Sequence, residues 1–263
     1  MLLTKKMSAQ ISSSLLFTVL LSGTALANDA IGPGDSDSKW VVGGHVGVVS
    51  NPYAGENESG FLMPNIEYRG ERFFLKDGEV GYSLYQGEHF SAGAVLTGEG
   101  SFLSDKDDYK DNAKLVGLEE RDGTLDLGFY VVKDMDMGRL RFTFLEEITG
   151  EHDGRSADLK YTFDYTANKL NINPFVGANW TSADKVDHFF GVSSAEATVD
   201  RAAYKGDSSL NLYTGVRGRY EITKNWDLSA TAAYIHLGEG IRDSSIVDED
   251  HVLVGSVGVN YNF

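Results

Sequence analysis

The sequence has no cysteine, only 4 prolines, and 23 basic residues against 39 acidic ones. Without cysteine there is no disulfide scaffold, no thiolate zinc site and no cysteine nucleophile. The compartment stays open on that count, because envelope barrels often lack cysteine. A formal net charge of −16 argues against a nucleic-acid partner, whose phosphates need a basic surface. Few prolines beside 30 glycines suit many strands joined by tight turns. Beyond the N-terminus no stretch carries 18 consecutive apolar residues, so no transmembrane helix is expected. What is present is a chain of 263 residues, 41% apolar and 24% charged, which is a folding composition rather than a disordered one.

The first 27 residues read as a separate object. Lys5 and Lys6 precede a short apolar run over residues 11–21, and Ala25-Leu26-Ala27 gives a small-x-small cleavage site before Asn28. The run is shorter than the ~20 residues that span a bilayer. The pattern predicts a cleaved signal peptide over 1–27, and the absence of cysteine at the site excludes a lipoprotein. Losing Lys5 and Lys6 takes the charge from −16 to −18. Residues 28–38, rich in Gly, Asp and Ser, read as a flexible periplasmic lead-in to a barrel over 39–263.

From there the chain alternates in polarity with a period of two. Leu159, Tyr161 and Phe163 oppose Asp158, Lys160, Thr162 and Asp164; Leu140, Phe142 and Phe144 oppose Arg139, Arg141 and Thr143. These are strands with one apolar and one polar face. A soluble β-sandwich gives the same alternation. Two features favour a membrane barrel. Short connections (134–137, 166–170, 223–225) alternate with long polar ones (100–123, 187–209, 238–250), as short periplasmic turns alternate with external loops. Trp40, Trp180, Trp226, Tyr220 and Tyr261 sit near strand ends on the apolar face, where an interfacial girdle belongs.

The expected fold is all-β, a transmembrane antiparallel β-barrel of twelve strands: 40–49, 61–68, 72–76, 79–85, 90–97, 125–133, 138–148, 157–164, 171–180, 210–222, 226–237 and 252–263. Ten strands is the alternative. The twelve-strand count splits one segment at Asp77-Gly78, a hairpin signal, because a barrel with both termini in the periplasm needs an even number. Pro64 and Pro174 fall inside strands, and bulges or local irregularity are expected there. The last strand sends Leu253, Val257, Val259, Tyr261 and Phe263 towards lipid, so the C-terminus closes the seam.

The polar face supplies candidate lumen-lining residues: Asp126, Arg139, Arg141, Asp158, Lys160, Asp164, Arg217, Arg219 and Glu221. They suit a lumen packed by charge pairs or a narrow charged pore. Residues 193–204 open with Ser193 and Glu196 in capping-box spacing and predict a short helix in an external loop. His45, His89, His152, His188, His236 and His251 lack metal-ligand spacing, and no G-x-S-x-G elbow is present. No catalytic residue, metal or cofactor is expected, and the acidic loop runs 104–112 and 242–250 lack calcium-loop spacing.

Several stretches resemble the MipA/OmpV family of outer-membrane proteins: "NPYAGE" from Asn51, the run from Pro64 to Phe73, "FFGVSSAEA" from Phe189, "RDSSIV" from Arg242 and the closing "YNF". Ser245 stands where the family pattern has proline. The resemblance implies a barrel in the Gram-negative outer membrane, in contact with lipid and lipopolysaccharide. It also implies that the barrel-assembly machinery reads Phe263 as an assembly signal. One branch of the family looks like a scaffold joining a lytic transglycosylase to a peptidoglycan synthase; another contains surface barrels linked to adhesion. The function expected is therefore structural, a scaffold or an adhesin, with a small-solute or ion pore as the alternative, and not enzymatic.

Overall fold

A computed structural model describes residues 39–263; the expected signal peptide and lead-in lie outside the described residues. The strands are β1 (Trp40–Val49), β2 (Ser59–Arg69), β3 (Phe73–Lys76), β4 (Glu79–Gln86), β5 (Phe90–Glu99), β6 (Thr124–Met135) and β7 (Gly138–Glu147). They continue as β8 (Arg155–Phe163), β9 (Tyr165–Ala167), β10 (Leu170–Thr181), β11 (Ser209–Glu221), β12 (Trp226–His236) and β13 (His251–Asn262). All neighbours pair antiparallel. β1 pairs with both β2 and β13, and β10 pairs with β11, so the sheet closes into a ring. β8 and β9 share one register against β10, so the thirteen segments make twelve staves of a closed barrel.

The short connections collect at one end and the long ones at the other, except for the two-residue β3–β4 turn, which points towards the long-loop end. At Asp77-Gly78 both central residues have positive φ, 48° and 82°, the backbone a two-residue type I′ hairpin requires. The split of that segment is therefore real. Of the bulges or local irregularity expected at the prolines, no bulge forms, and an irregularity appears at Pro174 alone. Register runs unshifted past Gly44↔Pro64 and Pro174↔Val216, and the one register shift falls between Ser83 and Tyr85. Pro174 produces the local irregularity: with no N–H to offer to Phe163, which stands opposite it, it interrupts the ladder, so that β8 ends at Phe163 and β9 begins at Tyr165 without a change of register. At Pro64 the free edge of the strand absorbs the loss. The Arg69 N–H donates towards β1, to Lys39 O at 2.8 Å. Alternation then turns the nitrogens of residues 68, 66 and 64 away from β1. Among the described residues, β2 has no pairing on that side beyond Tyr68 and Arg69.

Alternation also sorts the side chains. Outward-facing Leu125, Leu127, Phe129, Val176, Leu228 and Val257 are exposed, as a lipid-facing band demands. Trp40, Tyr220, Trp226 and Tyr261 ring the short-turn end, with Trp40 against Tyr68 (centroids 4.7 Å) and Trp226 edge-on to Tyr261 (5.0 Å). Trp180 marks the other end, near the close of β10. The Phe263 N–H donates to Trp40 O at 3.0 Å, so the last residue completes the seam between β13 and β1. Among the described residues no helix is long and apolar enough to cross a membrane.

A helix is present in a long loop, but not where capping-box spacing put it. It is Ala183–Phe190, named α2, directly after β10. Ser193 and Glu196 do make the reciprocal bonds (Ser193 N–H to Glu196 Oε2, 2.8 Å; Glu196 N–H to Ser193 Oγ, 3.3 Å), yet they close a turn and no helix follows. Two short helices, α1 (Lys106–Tyr109) and α3 (Glu239–Arg242), sit in other long loops.

Candidate functional site

The long loops do not splay into solvent. They fold into one apolar cap over the barrel mouth. Tyr53 from the loop after β1, Phe102, Leu103 and Leu115 after β5, Val186, Phe189 and Phe190 of α2, and Ile241 and Ile246 after β12 are all buried in a single cluster. The same cluster reaches inward to Phe175, Tyr213, Ile235 and Val254 on strands. Burial of this many large side chains, at ~25 cal/mol per Å² of apolar area, gives the loops a core of their own.

Tyr53 is the cap's centre. Its hydroxyl donates to Phe189 O at 3.1 Å and sits 3.1 Å from Ser101 Oγ, and its ring stacks on Phe190 at 5.5 Å. Burial pushes its phenol well above the ordinary value, so it stays a neutral donor. The Ala54 N–H donates to Ile246 O at 2.9 Å, and Tyr53 bridges to Val247. Ser244 Oγ donates to Phe190 O, and Ser245 Oγ to Ala202 O, both at 2.6 Å. The stretches that carry the family resemblance (51–56, 189–197, 242–247) thus meet in space, and Ser245 ties down the loop that proline would have stiffened.

Charges stitch the cap together. Arg201 donates to the backbone carbonyls of Lys114 (2.8 Å), Val116 (3.2 Å) and Glu196 (2.7 Å), joining two loops. Glu196 takes the Arg121 guanidinium at 3.0 Å and the Glu119 N–H at 2.9 Å. Burial alone would raise the Glu196 carboxyl, but those N–H groups, the Ser193 hydroxyl and Arg121 outweigh it and hold it at about 2. Beside this pair an outward cleft of about 720 Å³ is lined by Glu119, Arg121, His152, Asp187, His188 and Glu196 among others.

α2 anchors the cap to the wall. Its residues Lys185, Val186, Phe189 and Phe190 are buried on one side, and Lys185 reaches inside the barrel to Glu99 and to Asp126 (2.6 Å). All three groups are almost fully enclosed. Burial disfavours the ammonium, but the two carboxylates more than compensate, so Lys185 stays charged.

The nine polar-face candidates fall into three places. Asp126, Arg141, Asp158 and Lys160 are buried inside the barrel. Arg141 meets Glu79 at 2.7 Å, Asp158 accepts from Tyr213 OH at 2.9 and 3.0 Å, and Lys160 lies 4.7 Å over the Phe175 ring. Arg139, Arg217 and Arg219 are half-buried, paired with Asp134 (2.5 Å), Asp77 (3.7 Å) and Asp227 (3.0 Å). The Arg217–Asp77 pair joins β11 to the β3–β4 turn, across the interior. Asp164 and Glu221, at strand ends, lie exposed at the short-turn rim. Sequence reasoning missed Lys185, Glu99, Tyr53 and Arg201. The spacing of Lys185, Val186, Phe189 and Phe190, a helical i, i+1, i+4, i+5 face, was the available signal for the first.

His152 gives the cap a pH dependence. The Gly154 N–H donates to its Nδ1 at 2.9 Å, and its Nε2 is buried, so protonation forfeits a bond. Burial, with His188 and Lys185 as positive neighbours, lowers its pKa to about 4; burial also lowers that of His188. The unfolded chain takes up a proton near 6.5, so the stabilisation is complete above that pH and is lost as pH falls from about 6.5 to about 4. Glu196 stays ionised through that window. The protection factors of residues 148–154 and 182–190, exchange measured against the intrinsic rate at the same pH, are expected to fall on going from neutral pH to the lower end of that window, and to change less in His152→Gln. Unchanged protection factors in the native protein contradict this.

Comparison with known proteins places the chain. The family model described as MltA-interacting protein MipA matches residues 42–263. The chain is 25% identical over 246 residues to the MltA-interacting protein of Escherichia coli (strain K12), covering 93% of this chain and 98% of that one. It is 30% identical over 213 residues to outer membrane protein OmpV of Vibrio cholerae, covering 79% and 80%. Among solved structures it is similar to a bacterial polysaccharide outer membrane secretin, at 8% identity and TM-score 0.45, covering 87% and 100%, a likeness too distant to bear on function. OmpV and further relatives carry the name outer membrane protein, and the chain is a β-barrel of the Gram-negative outer membrane. It belongs to the MltA-interacting protein MipA family.

Proposed function

We propose that this barrel acts by contact, as a scaffold in the cell envelope, and not by passing solutes. The observation that carries this reading is the cap. The outer mouth is closed by a buried apolar cluster, and ion pairs such as Arg217–Asp77 cross the interior below it. A barrel closed at one end offers surfaces rather than a passage. Its relative in Escherichia coli is named for interaction with MltA, and it aligns over 98% of that relative. The partner class proposed is a periplasmic lytic transglycosylase, joined to a peptidoglycan synthase. The contact surface would be the short-turn rim, where Glu71, Glu88, Asp134, Asp136 and Lys169 project between girdle aromatics.

The test is biolayer interferometry with the refolded barrel held in nanodiscs and purified lytic transglycosylase of the MltA type in solution. Saturable binding that weakens on Glu88→Lys with Asp136→Lys is expected. Absence of saturable binding to the transglycosylase and to the synthase, with the fold verified by heat-modifiable gel mobility, rejects the scaffold reading. The outward cleft beside Glu196 favours a second reading, a surface adhesin, which predicts binding at the other end of the barrel.

A further inference from the structure

Among the described residues, the barrel wall is not complete beside β2. This strand pairs with β1 along its whole length, from Trp40↔Tyr68 to Val49↔Ser59. Its other edge meets β3 only at Tyr68 and Arg69. β3 turns back at Asp77-Gly78, and the β4–β5 ladder ends at Glu79↔Thr97. Residues 59–67 therefore border a gap whose floor is the β3–β4 turn and whose far side is the end of β5. At ~3.3 Å per residue the free edge runs roughly 25–30 Å.

The gap lies at bilayer depth. Register sets Leu62 beside Val46 and Ile66 beside Val42, all outward-facing and exposed, above Trp40 of the girdle. Leu62 is 74% exposed on the outer face, while its neighbour Met63, on the inner face, is 45% exposed. Both faces of one strand are uncovered at the same level. Behind Met63 the interior is loosely filled: His45, Thr231 and Ser256 face inward and are only half-buried.

What fits the gap follows from its chemistry. An added strand is opposed by Pro64, whose nitrogen faces the free edge with no hydrogen to give; proline on an edge is a device that blocks strand pairing. A second copy inserted in the same sense brings an edge running the same way, so symmetric antiparallel pairing is denied. Hydrocarbon alone leaves the edge N–H and C=O groups of Gly60, Leu62 and Ile66 without partners. An amphiphile meets both needs, with an acyl chain against Leu62, Met63 and Ile66, and its headgroup and accompanying water against the polar edge and the half-filled interior. We propose that the gap is a lateral opening through which a membrane amphiphile, an acyl chain with a hydrogen-bonding headgroup, reaches the lumen from the bilayer.

The chain has no cysteine, so Met63→Cys carries a nitroxide at one site only. The labelled protein is refolded into phosphatidylethanolamine–phosphatidylglycerol vesicles, and its collisions with oxygen, which partitions into hydrocarbon, are compared with those of a water-soluble nickel chelate. Val46→Cys calibrates lipid contact and Ser256→Cys the interior. The expected oxygen-to-nickel ratio at Met63 is several-fold above that at Ser256 and close to that at Val46, although Met63 faces inward. A ratio equal to that at Ser256 means water alone fills the gap, and weak collisions with both reagents mean that it is sealed; either result overturns the proposal. Should Met63→Cys fail the gel-mobility test for folding, Asn65→Cys on the same inner face, away from the cap, takes its place.

Discussion

Lys185→Met is expected to destabilise the folded barrel by roughly 3–5 kcal/mol, the usual cost of breaking a buried ion pair from one side. The size follows from what is left behind. Lys185 is the cation held between Glu99 and Asp126, and none of the three side chains is more than 4% exposed. Methionine keeps the length of the side chain and removes the charge. Two carboxylates then face each other away from water, each losing its charge-assisted bond. The effect reads out as a lower denaturant midpoint for the refolded protein, followed by tryptophan fluorescence. Adding Glu99→Gln and Asp126→Asn to Lys185→Met is expected to recover much of the loss, since the uncompensated charge goes with them. A midpoint equal to that of the parent in the single variant removes α2 as the anchor of the cap.

Tyr53→Ala is the second large effect, about 3 kcal/mol, the low end for deleting a buried aromatic side chain. The loss falls on the cap rather than on the barrel. Tyr53 is 1% exposed, and its ring fills the space between Phe102 and Phe190. Without it the loop after β1 loses its hold on α2 and on the loop after β12. Trypsin is expected to cut at Arg121 and Arg201, both now tied into the cap, while gel mobility still reports a closed barrel. Tyr53→Phe keeps the packing and gives up hydrogen bonds worth about 1 kcal/mol, so its cutting rate should stay near that of the parent. Equal protection in the alanine variant means that the cap does not depend on this residue.

The wall of the barrel was open to reading because lipid and lumen impose opposite demands on alternate residues, and Leu125 to Met135 shows both in one strand. The even count forced the break at Asp77-Gly78, and positive φ at both residues bears it out. The prolines give no bulge, Pro64 because it faces a free edge; Pro174 gives the local irregularity expected of it, dropping one link of the ladder without shifting it. The helix was misplaced because the Ser193–Glu196 box is a local signal, and its bonds are satisfied equally well by a turn. The cap was not legible. Tyr53, Phe189 and Ile246 are far apart in the chain, and nothing local says that three polar-looking loops share one core. Ion-pair partners were hidden for the same reason: Asp126 and Arg141 are inward-facing residues of neighbouring strands whose partners, Lys185 and Glu79, come from elsewhere.

The central claim is that the outer mouth is closed and the barrel does not conduct. Single-channel recording of the refolded protein in a planar bilayer tests it most directly, with insertion verified by gel mobility of the same preparation. The account predicts a silent bilayer. Discrete conductance steps whose ion selectivity changes in the Arg217→Ala, Arg219→Ala variant would contradict it, because ions would then be crossing both the cap and the charge pairs beneath.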